Sequence, residues 1–537
     1  MKKSAAPAIA RTTQRIDGAL AEVFGSGWKT RGDILDWPPN AFAAACILLK
    51  KSGAYTRVLA EWPPRKIYVK DVQRIATKWR GAVQTGLADA RAPVIPREVV
   101  SLWGQVVAAA SESIESLTEN SDLAAAIIEL MACCDEFAVG LGLPSLSKPS
   151  KSKRDYVAET AKIHLNRMST LAPIVPSSIA TVLPKQHSPK NGLTLRSMSH
   201  HLGVHFGREV VAKWITVPEK YGPQLNLVLA PWPTSIRPKQ FTEASCDGIR
   251  LAKGFKFFEM TPDSAPGDIE AWTKSLLDGA IDLCGKIDGV VFPEASMSLE
   301  EYKRIESLIE PYGAFLVAGV GGKDKIGCLA KNQVFFKTSD SYTRLVQCKH
   351  HRWRLDRSQI EMYGIGGNLD PQFHWWENIE IDRRTVNFAT LHGFLTMCCL
   401  VCEDLARQDP VAELVRTVGP NLVIALLADG PQLAKRWPSR YATVLADDPG
   451  SSVLTMTSLG MAELATPPPG EVRSRAIALW KDAFGSTTEI SVPANGLGVV
   501  LSLQTQVETE WTADGRSDNG AASFPRLVGV HAVMGKT

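Results

Sequence analysis

At 537 residues, with 45% apolar and 22% charged side chains, the chain is too long for one ordinary domain and too apolar to be disordered. The net charge of +4 excludes an extreme polyelectrolyte, but residues 1–80 hold fifteen Lys/Arg against six Asp/Glu, making that segment +9 and the remainder −5. This asymmetry suits a nucleic acid or an acidic protein as partner, and it suits a solvated basic face equally well.

The first 145 residues read as helical. Apolar residues recur at three- and four-residue intervals over Thr13 to Phe24, Asn40 to Lys51, Lys70 to Val83, Pro96 to Leu117 and Asp122 to Leu141. Asp36-Trp-Pro-Pro-Asn40 and Glu61-Trp-Pro-Pro-Arg65 look like separators, each using a proline pair to stop one helix before the next. Their flanks do not match, so no repeat is assigned. Met1 to Arg11 begins like a signal peptide, but its apolar core is too short for one.

Ser145 to Arg154 is a Ser- and Lys-rich linker. In the connector after it, up to residue 215, Tyr156 to Leu171 suits a helix and Pro184 to Gly192 an exposed loop; Leu195 to Val204 fits either class. From about residue 216 the pattern changes to short apolar runs. Leu225 to Ala230, Gly289 to Phe292, Ala314 to Gly319, Asn332 to Phe336 and Thr343 to Gln347 come first. Phe394 to Val401, Leu422 to Leu427, Ser452 to Met456 and Leu497 to Leu501 come next. Helical stretches at Ile269 to Leu283, Ser298 to Tyr312, Leu405 to Val418 and Pro431 to Leu445 separate several of them. Buried strands alternating with helices indicate an α/β layered domain. The division expected is therefore a helical domain over 1–145, a linker and connector over 146–215, and an α/β domain over 216–537.

No apolar stretch is long enough to span a bilayer; the longest, near Phe388 to Cys402, is broken by Thr, His and Gly. The ten cysteines form no regular framework, which reads as a reduced, cytoplasmic protein.

Three side chains stand out. Cys402 ends the run Phe394-Leu-Thr-Met-Cys-Cys-Leu-Val-Cys402 and precedes a helical stretch from Glu403. A thiol there lies near the positive end of a helix dipole, which favours thiolate, and the Glu403 N–H is placed to hold an oxyanion. The bland reading makes Cys402 a small buried hydrophobe like Cys398 and Cys399. A metal site built on Cys399 and Cys402 with His350 and His351 lacks a second clean ligand pair. Glu294, in Phe292-Pro-Glu294, follows a buried strand, where burial would raise its pKa and let it accept a thiol proton. It fits equally as an acidic residue before the helix at Ser298. Lys349 closes the run Leu345-Val-Gln-Cys-Lys349-His-His and fits either a solvated basic turn or an ammonium that balances charge beside a thiolate. The nearby His350, His351, Arg352 and Arg354 hint at an anionic substrate or an acidic partner.

Taken together, Phe292-Pro-Glu294-Ala-Ser, Lys349-His-His and Val401-Cys402-Glu-Asp404 resemble the nitrilase (carbon–nitrogen hydrolase) superfamily, whose members place Glu, Lys and Cys in this order. Cys402-Glu-Asp-Leu is similar to the glutaminase domains of glutamine-dependent NAD synthetases. The resemblance covers residues 220 to 530. It implies an αββα four-layer sandwich, homodimer or higher assembly through it, and a Glu294–Lys349–Cys402 triad needing neither metal nor organic cofactor. Glu403, Glu361 and His350 complete the expected oxyanion and substrate contacts, and the substrate would be a small amide, carbamoyl compound or nitrile. A second active-site glutamate is common shortly after the lysine; the spacing here offers Asp356 or Glu361. The alternative is an inactive sandwich kept as a scaffold or partner-binding protein, with a basic nucleic-acid-binding amino-terminal region.

Overall fold

A computed structural model describes residues 14–57, 68–141, 154–190, 192–217, 222–246, 249–261, 268–323, 329–338, 344–391 and 395–535. The linker expected over Ser145 to Arg154 lies outside them except for Arg154, as does the second Trp-Pro-Pro segment.

The amino-terminal helices fall where the apolar periodicity places them: Ile16–Phe24, Pro38–Ser52, Tyr68–Ala88, Arg97–Ala108 and Ser121–Phe137. Pro38 and Pro39 open a helix instead of merely ending one. A first-turn proline gives up only an N–H that has no helical partner in any case. Tyr156–Met168 forms the next helix. The expectation of an exposed loop over Pro184 to Gly192 is corrected, because Pro184 to Pro189 are buried. Except at the Gln186 side chain, their polarity is absorbed internally. The Lys185 ammonium donates to the carbonyls of Arg196 and Ser199, and Glu510 takes both the Ser188 N–H and the His187 ring.

The rest is mixed α/β. One seven-stranded sheet runs, edge to edge, Arg344–Cys348, Ala330–Lys337, Phe315–Lys323, Gly289–Val291, Gln224–Leu229, Gly496–Glu508 and Ala522–Met534. The other runs Thr487–Ser491, Ala476–Lys481, Ser452–Thr457, Leu422–Leu427, Leu395–Val401, Thr385–Leu391 and Val211–Val217. The connector thus supplies an edge strand, parallel to Thr385–Leu391. Alternation divides the first sheet between two cores. Val228, Val290, Leu316 and Val500 pack with Leu276 and Ile305 of the helices Ile269–Cys284 and Leu299–Ile309. Leu227, Val291, Val317 and Leu501 join a larger cluster with Met397, Leu400 and Leu454 of the second sheet. That larger cluster also contains Ile16, Phe42, Trp79 and Ile127 of the helical segment.

Three features bear on the site. A small sheet of Arg354–Leu355, His374–Glu377, Phe255–Met260 and Phe241–Ala244 has its own apolar cluster around Phe258, Trp353 and Trp375. The helix expected from Leu405 to Val418 is broken into Glu403–Ala406 and Glu413–Val418. Asp409, at φ −107° and ψ 140°, leaves helical geometry because Pro410 disfavours the α conformation before it. So one turn, not a four-turn helix, follows Cys402. Lastly, eight described cysteines are free while Cys246 is disulfide-bonded, which corrects the expectation of a fully reduced chain. Among the described residues no helix is long and apolar enough to cross a membrane.

Candidate active site

Strand direction brings the site together. Gly289–Val291 and Arg344–Cys348 run the same way in the first sheet, and Leu395–Val401 is parallel to Leu422–Leu427 in the second. Glu294, Lys349, Cys402 and Ala428 each lie just past the carboxyl end of one of these strands. Side chains from both sheets therefore reach one place.

The turn carrying Glu294 needs a close approach to Phe315–Lys323. A Cβ on Gly319 would stand 2.2 Å from the Pro293 carbonyl and 2.5 Å from Glu294 Cα, so only glycine fits. The Ser296 N–H and hydroxyl both donate to the Gly319 carbonyl at 2.9 Å, and Ala295 takes a positive φ of 46°. Glu294 is thereby fixed in the interior. Its Oε2 accepts the Ala428 N–H at 2.6 Å; its Oε1 accepts from Asn332 Nδ2 and Lys349 Nζ, each at 2.7 Å.

Lys349, whose side chain is 0% exposed, is shared between two acids. Its Nζ also donates to Glu377 Oε2 at 2.7 Å, and Asn332 Nδ2 to Glu377 Oε1 at 2.8 Å. The Trp353 N–H donates to the same Glu377 Oε2 at 3.0 Å. Burial alone would lower the lysine pKa, but the charges of Glu294 and Glu377 outweigh it and hold the ammonium well above its usual range. Burial raises the Glu294 carboxyl, with Lys349 opposing and Glu377 reinforcing the rise.

Cys402 is 2% exposed and sits at φ 48°, ψ −108°, a conformation that costs energy in a residue with a Cβ. Its N–H donates to the Leu426 carbonyl at 2.8 Å, fastening the turn to the neighbouring strand. Burial pushes the thiol up, Glu294 pushes it the same way, and Lys349 draws it down. Two residues on, buried Asp404 accepts the His350 N–H at 3.0 Å through Oδ1 and lies 3.0 Å from His351 Nδ1.

The other expected contacts scatter. The Glu403 carboxylate turns to Arg407 at 2.7 Å. His350 is buried, with Nε2 3.0 Å from the Thr385 carbonyl, and lies outside the cavity lining. Glu361 is exposed on the short helix Arg357–Met362, where Asp356 is the amino-terminal cap. The place imagined for it beside the lysine is taken by Glu377. Sequence reading missed Glu377 because it lies 28 residues beyond Lys349. The signal was an acid embedded in Trp375-Trp376-Glu377, where an unpaired carboxylate is costly. Asn332 was read only as part of a strand.

A cavity of about 150 Å3 opens on this cluster, reaching Glu294, Asn332, Glu377 and Ala428. Neither Lys349 nor Cys402 is among the residues that line it. The arginines near Lys349 do not enter it: Arg352 donates to the Glu377 carbonyl and lies over Phe257, while Arg354 lies over Trp376.

No protein-family model matches the chain, and no curated protein matches it. Solved nitrilase-superfamily structures match about half of it. Nit3 of Saccharomyces cerevisiae, a member of branch 10 of the nitrilase superfamily, is 12% identical over 49% of this chain and 84% of its own, with a TM-score of 0.32. XC1258 of Xanthomonas campestris, a CN-hydrolase superfamily protein, is 14% identical over 52% and 89%, with a TM-score of 0.30. A carbon–nitrogen hydrolase from Helicobacter pylori G27 is 11% identical over 50% and 85%, with a TM-score of 0.32. Likeness at this level carries no functional argument; only the chain's own residues can supply one.

Proposed function

We propose that this chain is a carbon–nitrogen hydrolase with Cys402 as nucleophile, Glu294 as proton carrier and Lys349 as the cation that holds developing negative charge. One observation carries the reading: a fully buried ammonium, 2.7 Å from each of two carboxylates, within electrostatic reach of a strained thiol. Such a group is costly to desolvate and weak as a source of stability. It suits a site that must exchange charge without admitting water.

Charge conservation sets the order of events. With the thiol protonated, Lys349, Glu294, Glu377 and Cys402 sum to −1. Moving the thiol proton onto Glu294 leaves that sum unchanged, whereas releasing it to solvent would add a second buried negative charge. The Cys402 sulfur then attacks the carbon of an amide, carbamoyl compound or nitrile. For the amide, Lys349 Nζ and the Glu403 N–H hold the oxyanion. The carbon–nitrogen bond breaks as Glu294 hands its proton to the departing nitrogen, leaving a thioester. Glu294 next takes a proton from water, the hydroxide adds to the thioester, and the carbon–sulfur bond breaks as Glu294 passes that proton to the departing sulfur. Glu377 and Asn332 position the ammonium and the base.

The same proposal includes the αββα order, with Ile269–Cys284 and Leu299–Ile309 outside one sheet and Trp437–Asp447 outside the other. It also includes homodimer or higher assembly through this region and a nucleic acid or acidic protein on residues 1–80.

The test is intact-mass detection of an acyl adduct after exposure to amides and nitriles. The wild-type chain gains the acyl mass and Cys402→Ala does not; turnover by Cys402→Ala defeats the proposal. Selective labelling of Cys402 by an electrophile at neutral pH supports catalysis, and labelling spread over the other free cysteines supports a scaffold instead.

A further inference from the structure

We infer that the acyl group this site accepts is uncharged and about the size of a benzene ring; the inference rests on the hydrolase reading above and deepens it. The cavity that ends on Glu294 has a volume of about 150 Å3. Apolar cavities of roughly 150 Å3 take up benzene.

One part of its wall is apolar and packed in place. Phe258, Met260, Trp353 and Ile379 line it; Phe258 and Trp353 pack edge to face with centroids 5.7 Å apart. Tyr363 meets the other side of Trp353 at 5.9 Å, again edge to face. Aromatic pairs of this geometry resist rearrangement. Trp353 also fixes the reacting end, since its N–H holds Glu377. One residue thus sets both the wall that meets the acyl chain and the carboxylate that places Lys349.

Charge argues against the other classes of acyl chain. Among the described residues, the lining brings three carboxyl groups, Glu259, Glu294 and Glu377, against one ammonium, that of Lys331. A chain ending in a carboxylate would enter a cavity of its own sign. A cationic chain would need an accessible acid, but Glu294 and Glu377 are committed to Lys349 and Asn332, and Glu259 accepts from Asn378 Nδ2 at 2.5 Å. A two-carbon chain leaves most of the apolar wall without contact, and in apolar pockets each missing methylene costs about tenfold or more in selectivity.

The experiment compares kcat/KM of the full chain for phenylacetamide, acetamide, succinamate and 4-aminobutanamide. Phenylacetamide is expected to exceed each of the others by at least about tenfold. In Ile379→Ala, which lengthens the cavity, the ratio of kcat/KM for 2-naphthylacetamide over phenylacetamide rises by at least about tenfold. Preference for a charged or two-carbon amide, or an unchanged ratio in Ile379→Ala, overturns the inference and leaves the hydrolase reading standing. No turnover of these amides, together with no Cys402 adduct from the amides and nitriles used to test the hydrolase reading, overturns both.

Discussion

Asp404 Oδ1 accepts the backbone N–H of His350 at 3.0 Å, so the turn that carries Cys402 is tied to the residue next to Lys349. The two strand ends belong to different sheets, and this clamp works with the bond from Gln347 Nε2 to the Cys399 carbonyl, 2.9 Å, to set the distance between thiol and ammonium. Asp404→Ala leaves the His350 N–H and the His351 ring without their buried acceptor. It should cost about 1–3 kcal/mol in denaturant unfolding. It should also lower kcat more than it raises KM, because it misplaces Lys349 without touching the acyl cavity. An unchanged kcat would assign Asp404 to folding alone.

Glu377→Gln keeps the shape of the side chain and removes one of the two negative charges facing Lys349. The lysine loses part of the field that holds it charged. Turnover should fall about 10²–10³-fold, the scale set by loss of one preorganised electrostatic contact. Labelling of Cys402 by a neutral electrophile across a pH series checks the same change, because a Lys349 ammonium facing one fewer carboxylate leaves more of its field to the thiolate and shifts labelling to lower pH.

The acid limb of the rate profile belongs to Glu294, which must start as carboxylate to take the thiol proton. Burial holds its carboxyl above the ordinary 4.5, so the population of active base falls as pH drops through a value higher than that. The kcat/KM profile of an uncharged amide should therefore show its acid limb above pH 4.5, and Glu294→Gln should abolish turnover. A limb at or below 4.5 would take Glu294 out of the role of base.

Stability has its own pH dependence, centred on His200. Its Nδ1 lies 2.9 Å from the Ser188 hydroxyl and its Nε2 3.1 Å from the Arg516 carbonyl. Burial, with His201 and Arg516 adding and Asp135 opposing, pulls its pKa from 6.5 to about 4. The unfolded chain therefore binds this proton at a higher pH than the folded one. The stabilising contribution is complete above pH 6.5 and is lost as pH falls toward 4. Denaturant midpoints at pH 7 and pH 5 should differ less in His200→Gln than in the wild type.

Arg516 links the helical segment to the carboxyl-terminal loop. It is 0% exposed and contacts Asp135 at 2.8 Å, Glu136 at 3.0 Å and Asp514 at 2.9 Å. Asp135 also receives the backbone N–H groups of His200, His201 and Leu202. Arg516→Met leaves these acids buried without their cation and should cost about 3–5 kcal/mol, read as a lower denaturant midpoint. A cost under about 1 kcal/mol would mean that the acids rearrange or take up protons on their own.

Much of this was legible along the chain, wherever the determining forces are local. Leu422–Leu427 and Ile269–Cys284 announce themselves because buried strands and half-buried helices impose apolar periods of their own. Glu294, Lys349 and Cys402 stand out because each follows an apolar run, where an ionisable side chain is costly, and because their order resembles that of the nitrilase superfamily. Tertiary structure alone decided the rest. Glu377 and Asn332 join the site through an ammonium shared between distant segments, and no spacing rule encodes that geometry. Pro184 to Pro189 are as polar as a surface loop, yet they are buried because Glu510 and nearby carbonyls, supplied by other parts of the chain, take up Lys185, His187 and the Ser188 N–H. Periodicity is written into neighbouring residues; the pairing of buried charges depends on which strands end side by side.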